Sequence, residues 1–166
     1  MKRPIIAVIG TADISTREYE TALEVGGLVA KKGWTLINGG LSGVMEAASR
    51  GASEAGGTVV GILPQGSTES ANKYITIPIA TNMGHARNII IAHTADMLIA
   101  VGGGLGTLSE IAVSRKLGKP VFSLGSWKIA DTISTKNPKE AIDRCQAYLD
   151  SMIDTMFGIN EEEKTT

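Results

Sequence analysis

The stretch VGGGLGTLSE, from Val101 to Glu110, joins three consecutive glycines to a carboxylate in what reads as the first turns of a helix. Glycine lets backbone N–H groups approach a ligand because no Cβ stands in the way. Where a glycine turn leads into a helix, free N–H groups and the positive end of the helix dipole together favour a phosphate. The sequence therefore predicts an anion-binding loop made of Gly102, Gly103, Gly104, Gly106 and Thr107.

Glu110 has two interpretations. Thr107 and Glu110 have the spacing of a capping box, in which the Glu side chain bonds back to the backbone at the start of the helix. Alternatively, the Glu110 carboxylate stabilises positive charge on a sugar, as carboxylates do in glycoside cleavage. The residue types and spacing fit both interpretations.

A basic residue and a second glycine loop belong to the same candidate site. Arg87 begins the apolar stretch ARNIIIAHTA, where a partly buried cation needs a partner, either Glu110 or a bound anion. The stretch NGGLSG adds Gly39, Gly40 and Gly43 as candidate ligand-binding residues. His85 and His93 have no cysteine or carboxylate cluster beside them, so we expect no metal coordinated by the protein.

Two well-known phosphate-binding motifs do not fit. A P-loop needs a lysine followed by Ser or Thr after its last glycine, and Thr107-Leu108 offers no such lysine. A dinucleotide fingerprint lies on the first strand-to-helix turn, with an acidic residue ending the second strand. Here the first turn reads GTADIST and Asn38 ends the second strand. A nicotinamide-dependent dehydrogenase is therefore disfavoured.

The elements around these residues alternate between strands and helices. Near-continuous apolar runs are typical of strands buried on both faces of a parallel sheet. They occur at 4–10, 35–38, 58–64, 97–101 and 120–124. The intervening stretches predict helices: one opening with a capping box at Ser15 and Glu18, and others over about 43–55, 84–94, 107–117 and 138–153.

This alternation predicts an α/β fold: a doubly wound, mostly parallel Rossmann-like sheet with helices on both faces. We expect a single domain over residues 1–153 and a flexible C-terminal tail over 154–166. Ligands of such sheets bind beyond the carboxyl ends of the strands, where the strand order reverses. The glycine turns that follow the strands should therefore meet at one edge.

Composition narrows the function classes. Lys plus Arg number 16 and Asp plus Glu 17, a net charge of −1, so we expect neither nucleic acid nor a membrane as partner. No signal peptide is recognised, and the lone Cys145 fits a reducing cytoplasm, the predicted location. Because aromatic residues make up only 4% of the chain, stacking of a base on an aromatic platform is disfavoured.

Three stretches together resemble a known family. NGGLSGVMEAASRGASEAGG, VVGILP and GHARNIIIAHTADMLIAVGGGLGTLSE are similar to motifs of the Lonely Guy (LOG)-like superfamily. Its LOG enzymes hydrolyse the N-glycosidic bond of cytokinin nucleoside monophosphates. The resemblance implies a Rossmann-like fold and, for a hydrolase, catalytic roles for Arg87 and Glu110.

The chain departs from the LOG enzymes at several motif positions. Asn88 replaces a lysine, Gly102 a proline, Ser109 the first of two paired glutamates, and Glu46 a glycine. The triple glycine is more similar to a sister branch that includes the molybdenum cofactor carrier proteins, which are homo-oligomers. This resemblance implies a binding or carrier protein for molybdenum cofactor or a related phosphorylated pterin or nucleotide, assembled as a dimer or tetramer. The alternative is a LOG-type phosphoribohydrolase.

Overall fold

A computed structural model describes residues 2–157 of the chain. Within them, seven strands form one parallel sheet in the order β4-β3-β2-β1-β5-β6-β7. The sheet winds outward in both directions from β1, which confirms the predicted doubly wound fold. The strands are β1 (Ile5–Ile9), β2 (Thr35–Asn38), β3 (Val59–Leu63), β4 (Ile77–Ala80), β5 (Met97–Val101), β6 (Val121–Leu124) and β7 (Ile133–Ser134).

Helices cover both faces of the sheet, as predicted. On one face, α1 (Thr16–Lys31), α2 (Val44–Glu54) and α5 (Pro138–Phe157) enclose the larger apolar cluster. On the other, α3 (Asn88–Thr94) and α4 (Leu105–Lys116) enclose a smaller cluster. The central strands are apolar on both faces because helices remove both faces from water.

Close packing between α1 and α2 depends on two glycines. A Cβ at Gly26 would overlap the carbonyl oxygen of Ala48, and a Cβ at Gly51 would overlap that of Leu23. The two helix backbones therefore touch directly. This contact holds α2, and the loop that leads into it, firmly against the sheet.

The first helix begins as the sequence predicts. The backbone N–H of Ser15 donates to Glu18 Oε2 at 2.8 Å, and the N–H of Glu18 donates to Ser15 Oγ at 3.3 Å. These two bonds complete the capping box. The first helix therefore has a fixed start directly after the β1 turn.

Several element boundaries differ from the predicted ones. Strands β4 and β7 are additional to the five predicted, and α4 begins at Leu105, two residues early. A 3₁₀ turn (Gly84–Arg87) precedes α3 where one continuous helix is expected. The last helix continues to Phe157, so only residues 158–166 remain of the predicted tail, and these lie outside the described residues.

Two features bear on stability and environment. Within residues 2–157, no helix combines the length and the apolar composition needed to cross a membrane. Cys145 on α5 is fully buried in the larger apolar cluster, and burial raises the pKa of its thiol to about 12. The thiol is therefore a small core group that stays protonated.

Candidate functional site

A cleft of about 230 Å³ opens at the carboxyl ends of β1 and β5. These two strands are neighbours in the centre of the sheet, where the order of connections reverses, so the cleft lies at the predicted position. Its walls come from the turns after β1, β2 and β5 and from the start of α3. Six of the predicted site residues line it: Gly39, Arg87, Gly104, Gly106, Thr107 and Glu110.

The N-terminal end of α4 presents unpaired donors to this cleft. Gly104 precedes the helix without a side-chain cap, and its carbonyl oxygen accepts the N–H of Leu108 at 3.0 Å. In the described part of the chain, none of the five backbone N–H groups at 103–107 has a hydrogen-bond acceptor. Donors of this kind at a helix N-terminus are suited to an anion.

Glu110 lies in the cleft wall without a hydrogen-bond partner among the described residues. The capping-box hypothesis for Thr107 and Glu110 is wrong, because α4 starts at Leu105 and Thr107 is already inside the first turn. The Thr107 hydroxyl is buried and also without a partner in residues 2–157. Burial raises the pKa of Glu110 to about 8, although nearby Arg87 opposes the rise. The side chain is therefore mostly neutral at pH 7.

Arg87 is buried beside the cleft and bonds to backbone carbonyls. Its Nη1 donates to the oxygen of Gly39 at 2.6 Å and to that of Ile62, at the ends of β2 and β3. Burial lowers the pKa of the guanidinium, and the charge of Glu110 opposes this. Yet no Arg87–Glu110 ion pair occurs within 4.0 Å among the ion pairs of the described residues.

The positive charge of Arg87 is therefore held at the cleft without a carboxylate in contact. Its Nε is buried and has no acceptor in the described part of the chain. Of the two partners expected from the sequence, a bound anion and Glu110, the structure places Glu110 near Arg87 but not in an ion pair with it. Backbone carbonyls, a third kind of partner, fix the side chain.

The glycines of the β2 turn mainly shape the wall. A Cβ at Gly39 would overlap the guanidinium of Arg87, and a Cβ at Gly43 would overlap the carbonyl oxygen of Thr11. Gly40 donates its N–H to Asn38 Oδ1 at 2.8 Å. Gly40 and Gly43 do not line the cleft.

The first two glycines of the β5 turn also lie outside the cleft lining. Gly102 donates its N–H to the Leu124 carbonyl at 3.1 Å. Gly103 has a φ of +133°, and a Cβ there would overlap the Thr107 side chain. Both glycines let the chain turn from β5 into α4.

Three polar residues outside the predicted set of binding residues also line the cleft: Thr11, His85 and Asn88. Asn88 Nδ2 donates to Ser109 Oγ at 3.3 Å and so connects the starts of α3 and α4. His85 and Asn88 flank Arg87 in the sequence, and that proximity was the available signal. Among residues 2–157, no three His, Cys, Asp or Glu side chains come together as a metal site would require.

The cleft thus combines unpaired backbone donors, a buried cation and a carboxyl group that is largely neutral. Together with the sheet order, this geometry defines a Rossmann-like α/β protein whose candidate site lies at the switch point between β1 and β5. Comparison with known proteins gives the family. The model of the SLOG cluster4 family matches residues 3–152, and the chain belongs to this LOG-like family.

Individual relatives agree with this assignment. The chain is 49% identical over 146 residues to an uncharacterized protein of Archaeoglobus fulgidus, covering 87% of this chain and 96% of that protein. It is 30% identical to a cytokinin riboside 5′-monophosphate phosphoribohydrolase of Mycobacterium tuberculosis, covering 83% of this chain and 72% of the enzyme.

A solved structure is similar over almost its whole length. The molybdenum cofactor binding protein of the phototrophic bacterium Rippkaea orientalis superposes with a TM-score of 0.86 at 35% identity. The match covers 90% of this chain and 99% of the Rippkaea protein. The relatives thus include both a named binding protein and a named hydrolase.

Proposed function

We propose that this protein binds molybdenum cofactor, or a related phosphorylated pterin or nucleotide, and acts as a carrier without turnover. The observation that supports the proposal most is the set of backbone N–H groups at 104–107, which have no acceptor among the described residues and belong to residues that line the cleft beside Arg87. The similarity to the Rippkaea molybdenum cofactor binding protein supports the choice of ligand.

Each group has a role in this proposal. The N–H groups of Gly104, Gly106 and Thr107 bind phosphate oxygens, and the buried guanidinium of Arg87 balances their negative charge. Glu110 does not repel the anion because at pH 7 it is mostly neutral.

Binding measurements on Arg87 variants test the role of the cation. Arg87→Ala should weaken binding of ribose 5-phosphate about ten- to hundredfold, because a charge-assisted contact is lost. Arg87→Lys keeps the charge and should recover part of the affinity. Thermal unfolding of both variants controls for the carbonyls of Gly39 and Ile62, which lose a donor. Equal affinity in wild type and Arg87→Ala would contradict the proposed role.

A LOG-type phosphoribohydrolase is the second candidate, since Arg87 and Glu110 line the same cleft and one relative is named as such an enzyme. Stabilising a positively charged sugar requires an ionised Glu110, whereas its pKa of about 8 keeps it mostly neutral at pH 7. We therefore expect no meaningful base release from a nucleoside monophosphate by the wild type. Robust release that Glu110→Gln eliminates would refute the carrier proposal.

We further propose a cytoplasmic homo-oligomer, either a dimer or a tetramer. Ile89 on α3, Leu105 on α4 and Leu117 at its end leave large apolar side chains exposed on the same side of the sheet. A second copy of the chain would cover such a surface. Light scattering at micromolar concentration should give a multiple of the monomer mass, and a monomer mass would contradict this part of the proposal.

A further inference from the structure

Trp127 lies in the connection between β6 and β7, residues 125–132, which contacts both ends of α4. At one end, the indole Nε1 of Trp127 donates to the Gly104 carbonyl at 3.1 Å. At the other, Arg115 on α4 approaches Asp131 at 3.8 Å. Trp127 nevertheless remains 40% exposed. A large aromatic ring is thus presented to solvent at the start of α4.

Contacts on both sides of Trp127 anchor the connecting segment. The N–H of Ser126 donates to Ser123 Oγ at 3.2 Å, and Ile129 packs against the smaller apolar cluster. Thr132 donates its N–H to the Ile129 carbonyl at 3.1 Å. The indole hydrogen bond orients the ring on this anchored segment, which favours a preorganised exposed face.

The Trp127 ring stands directly beside the candidate anion site. Gly104 accepts the Trp127 hydrogen bond through its carbonyl, while its own N–H is one of the unpaired donors and the residue lines the cleft. A ligand held by a phosphate on these donors would therefore have an aromatic surface within reach of its remaining part. The cleft itself, at about 230 Å³, leaves little room for both a sugar phosphate and a ring system.

We infer that Trp127 is the platform on which the planar heterocycle of the ligand stacks, while its phosphate binds the N–H groups at 104–107. This inference rests on the proposed function and assigns the surface that recognises the planar heterocycle of its ligand, whether nucleotide or pterin. The low aromatic content had disfavoured stacking, but a single tryptophan beside the phosphate site suffices for it. Stacking on an aromatic side chain tolerates either heterocycle because each has a π-face.

Calorimetry with matched ligands separates the platform from the phosphate site. The probes are guanosine 5′-monophosphate, neopterin monophosphate and, without a ring system, ribose 5-phosphate. Trp127→Ala should weaken binding of both heterocyclic probes by about fivefold or more, because a stacking contact is lost. Binding of ribose 5-phosphate should be unchanged. The affinities of the two heterocyclic probes, compared with each other, show whether the platform prefers a nucleotide or a pterin.

A control variant is available on the other face of the sheet. Met152 on α5 is 46% exposed, close to the fractional exposure of Trp127, and lies outside both the cleft and the proposed interface between copies. Met152→Ala removes exposed apolar surface away from the cleft and should leave the affinity for all three probes unchanged. A loss in both variants would show a general effect of surface truncation and would overturn the inference.

Tryptophan fluorescence gives a second readout because the chain has only two tryptophans. Trp34 is 6% exposed and directly precedes β2, so it lies at the amino ends of the strands, away from the candidate site at their carboxyl ends. Guanosine 5′-monophosphate should therefore quench the emission of Trp34→Phe, which retains Trp127, and leave that of Trp127→Phe unchanged. Equal quenching in both variants would overturn the inference.

The outcomes distinguish this inference from the proposed function. If ribose 5-phosphate binds and Trp127→Ala binds the heterocyclic probes as well as the wild type does, the platform is wrong and the anion site stands. If no probe binds the wild type, the anion site fails and the platform fails with it. If Trp127→Ala weakens ribose 5-phosphate equally, Trp127 supports the loop structurally and the stacking inference is overturned.

Discussion

The two glycine-rich turns use the same residue for different purposes. In the first turn, at 38–43, a Cβ at Gly39, Gly40 or Gly43 would overlap neighbouring atoms. In the second, at 102–107, a Cβ at Gly104 or Gly106 would meet neighbours only at ordinary contact distance, 3.7 Å or more. The first turn needs glycine because the packed protein leaves no room for a Cβ. The end of the second turn leaves space beside Gly104 and Gly106, where a ligand can approach the backbone.

Their backbone hydrogen bonds differ in the same way. Gly40 donates to Asn38 Oδ1 at 2.8 Å, and its carbonyl accepts the N–H of Asn72 at 2.9 Å. In the described residues, the N–H groups of Gly104 and Gly106 have no acceptor. A motif of repeated glycines thus does not by itself mark a binding loop. Two features distinguish a glycine turn that can bind a ligand from one that only shapes the chain: N–H donors without an acceptor, and open space at the Cβ position.

Gly43→Ala should have the largest effect, and that effect should be on stability. Gly43 has a φ of +68°, and the new Cβ would overlap the Thr11 carbonyl oxygen. We expect a loss of roughly 3 kcal/mol in the free energy of unfolding, from backbone strain together with overpacking. Urea denaturation measures it, with Gly106→Ala as the control. An equal stability in the two variants would remove the distinction between the turns.

Glu110→Gln should have an effect of similar size to that of Gly43→Ala, but on how the free energy of unfolding depends on pH. The pKa of Glu110 is about 8 in the folded protein, against 4.5 for the unperturbed group. The folded state therefore holds a proton that the unfolded chain releases, so the wild type loses stability as the pH rises. Between pH 5 and pH 8 the expected loss is about 3 kcal/mol.

Glutamine does not titrate, so the variant should lack this part of the slope. Denaturation curves at several pH values measure both proteins, and parallel curves for wild type and Glu110→Gln would contradict the buried neutral carboxyl.

Gly106→Ala should have the smallest effect on stability and a clear effect on binding. Its added Cβ would meet only Asn88 Nδ2, at 3.7 Å, so the fold has room for it. The methyl group lies where a ligand would approach the N–H groups of α4, and the loss of charge-assisted bonds should weaken ribose 5-phosphate about tenfold. Calorimetry measures the affinity. Unchanged affinity would place the anion elsewhere in the cleft.

The central part of the fold follows directly from the sequence. β1 and β5 are apolar on both faces, a pattern that few other structures produce, and the capping box at Ser15 fixes the start of α1. β4 was missed because all four of its residues are exposed and Pro78 interrupts it. The two-residue β7 is too short to show any period.

The candidate site is predictable in its residues but not in its contacts. Arg87 and Glu110 stand out because a charged residue in an apolar stretch needs an explanation. Their environment depends on where α4 begins. A difference of two residues turns Thr107 from a cap into a buried side chain whose hydroxyl has no partner within residues 2–157. Trp127 could not be found from the sequence, since its bond to Gly104 joins positions 23 apart, with α4 and β6 between them.

Cys145 makes the motion of α5 observable. Its thiol is fully buried, with its pKa raised to about 12, so a thiol reagent can reach it only when the helix separates from the sheet. As the chain has one cysteine, the labelling rate in native buffer reports that single opening event without interference from a second site. The same burial protects the sulfur from oxidation for as long as the helix stays in place.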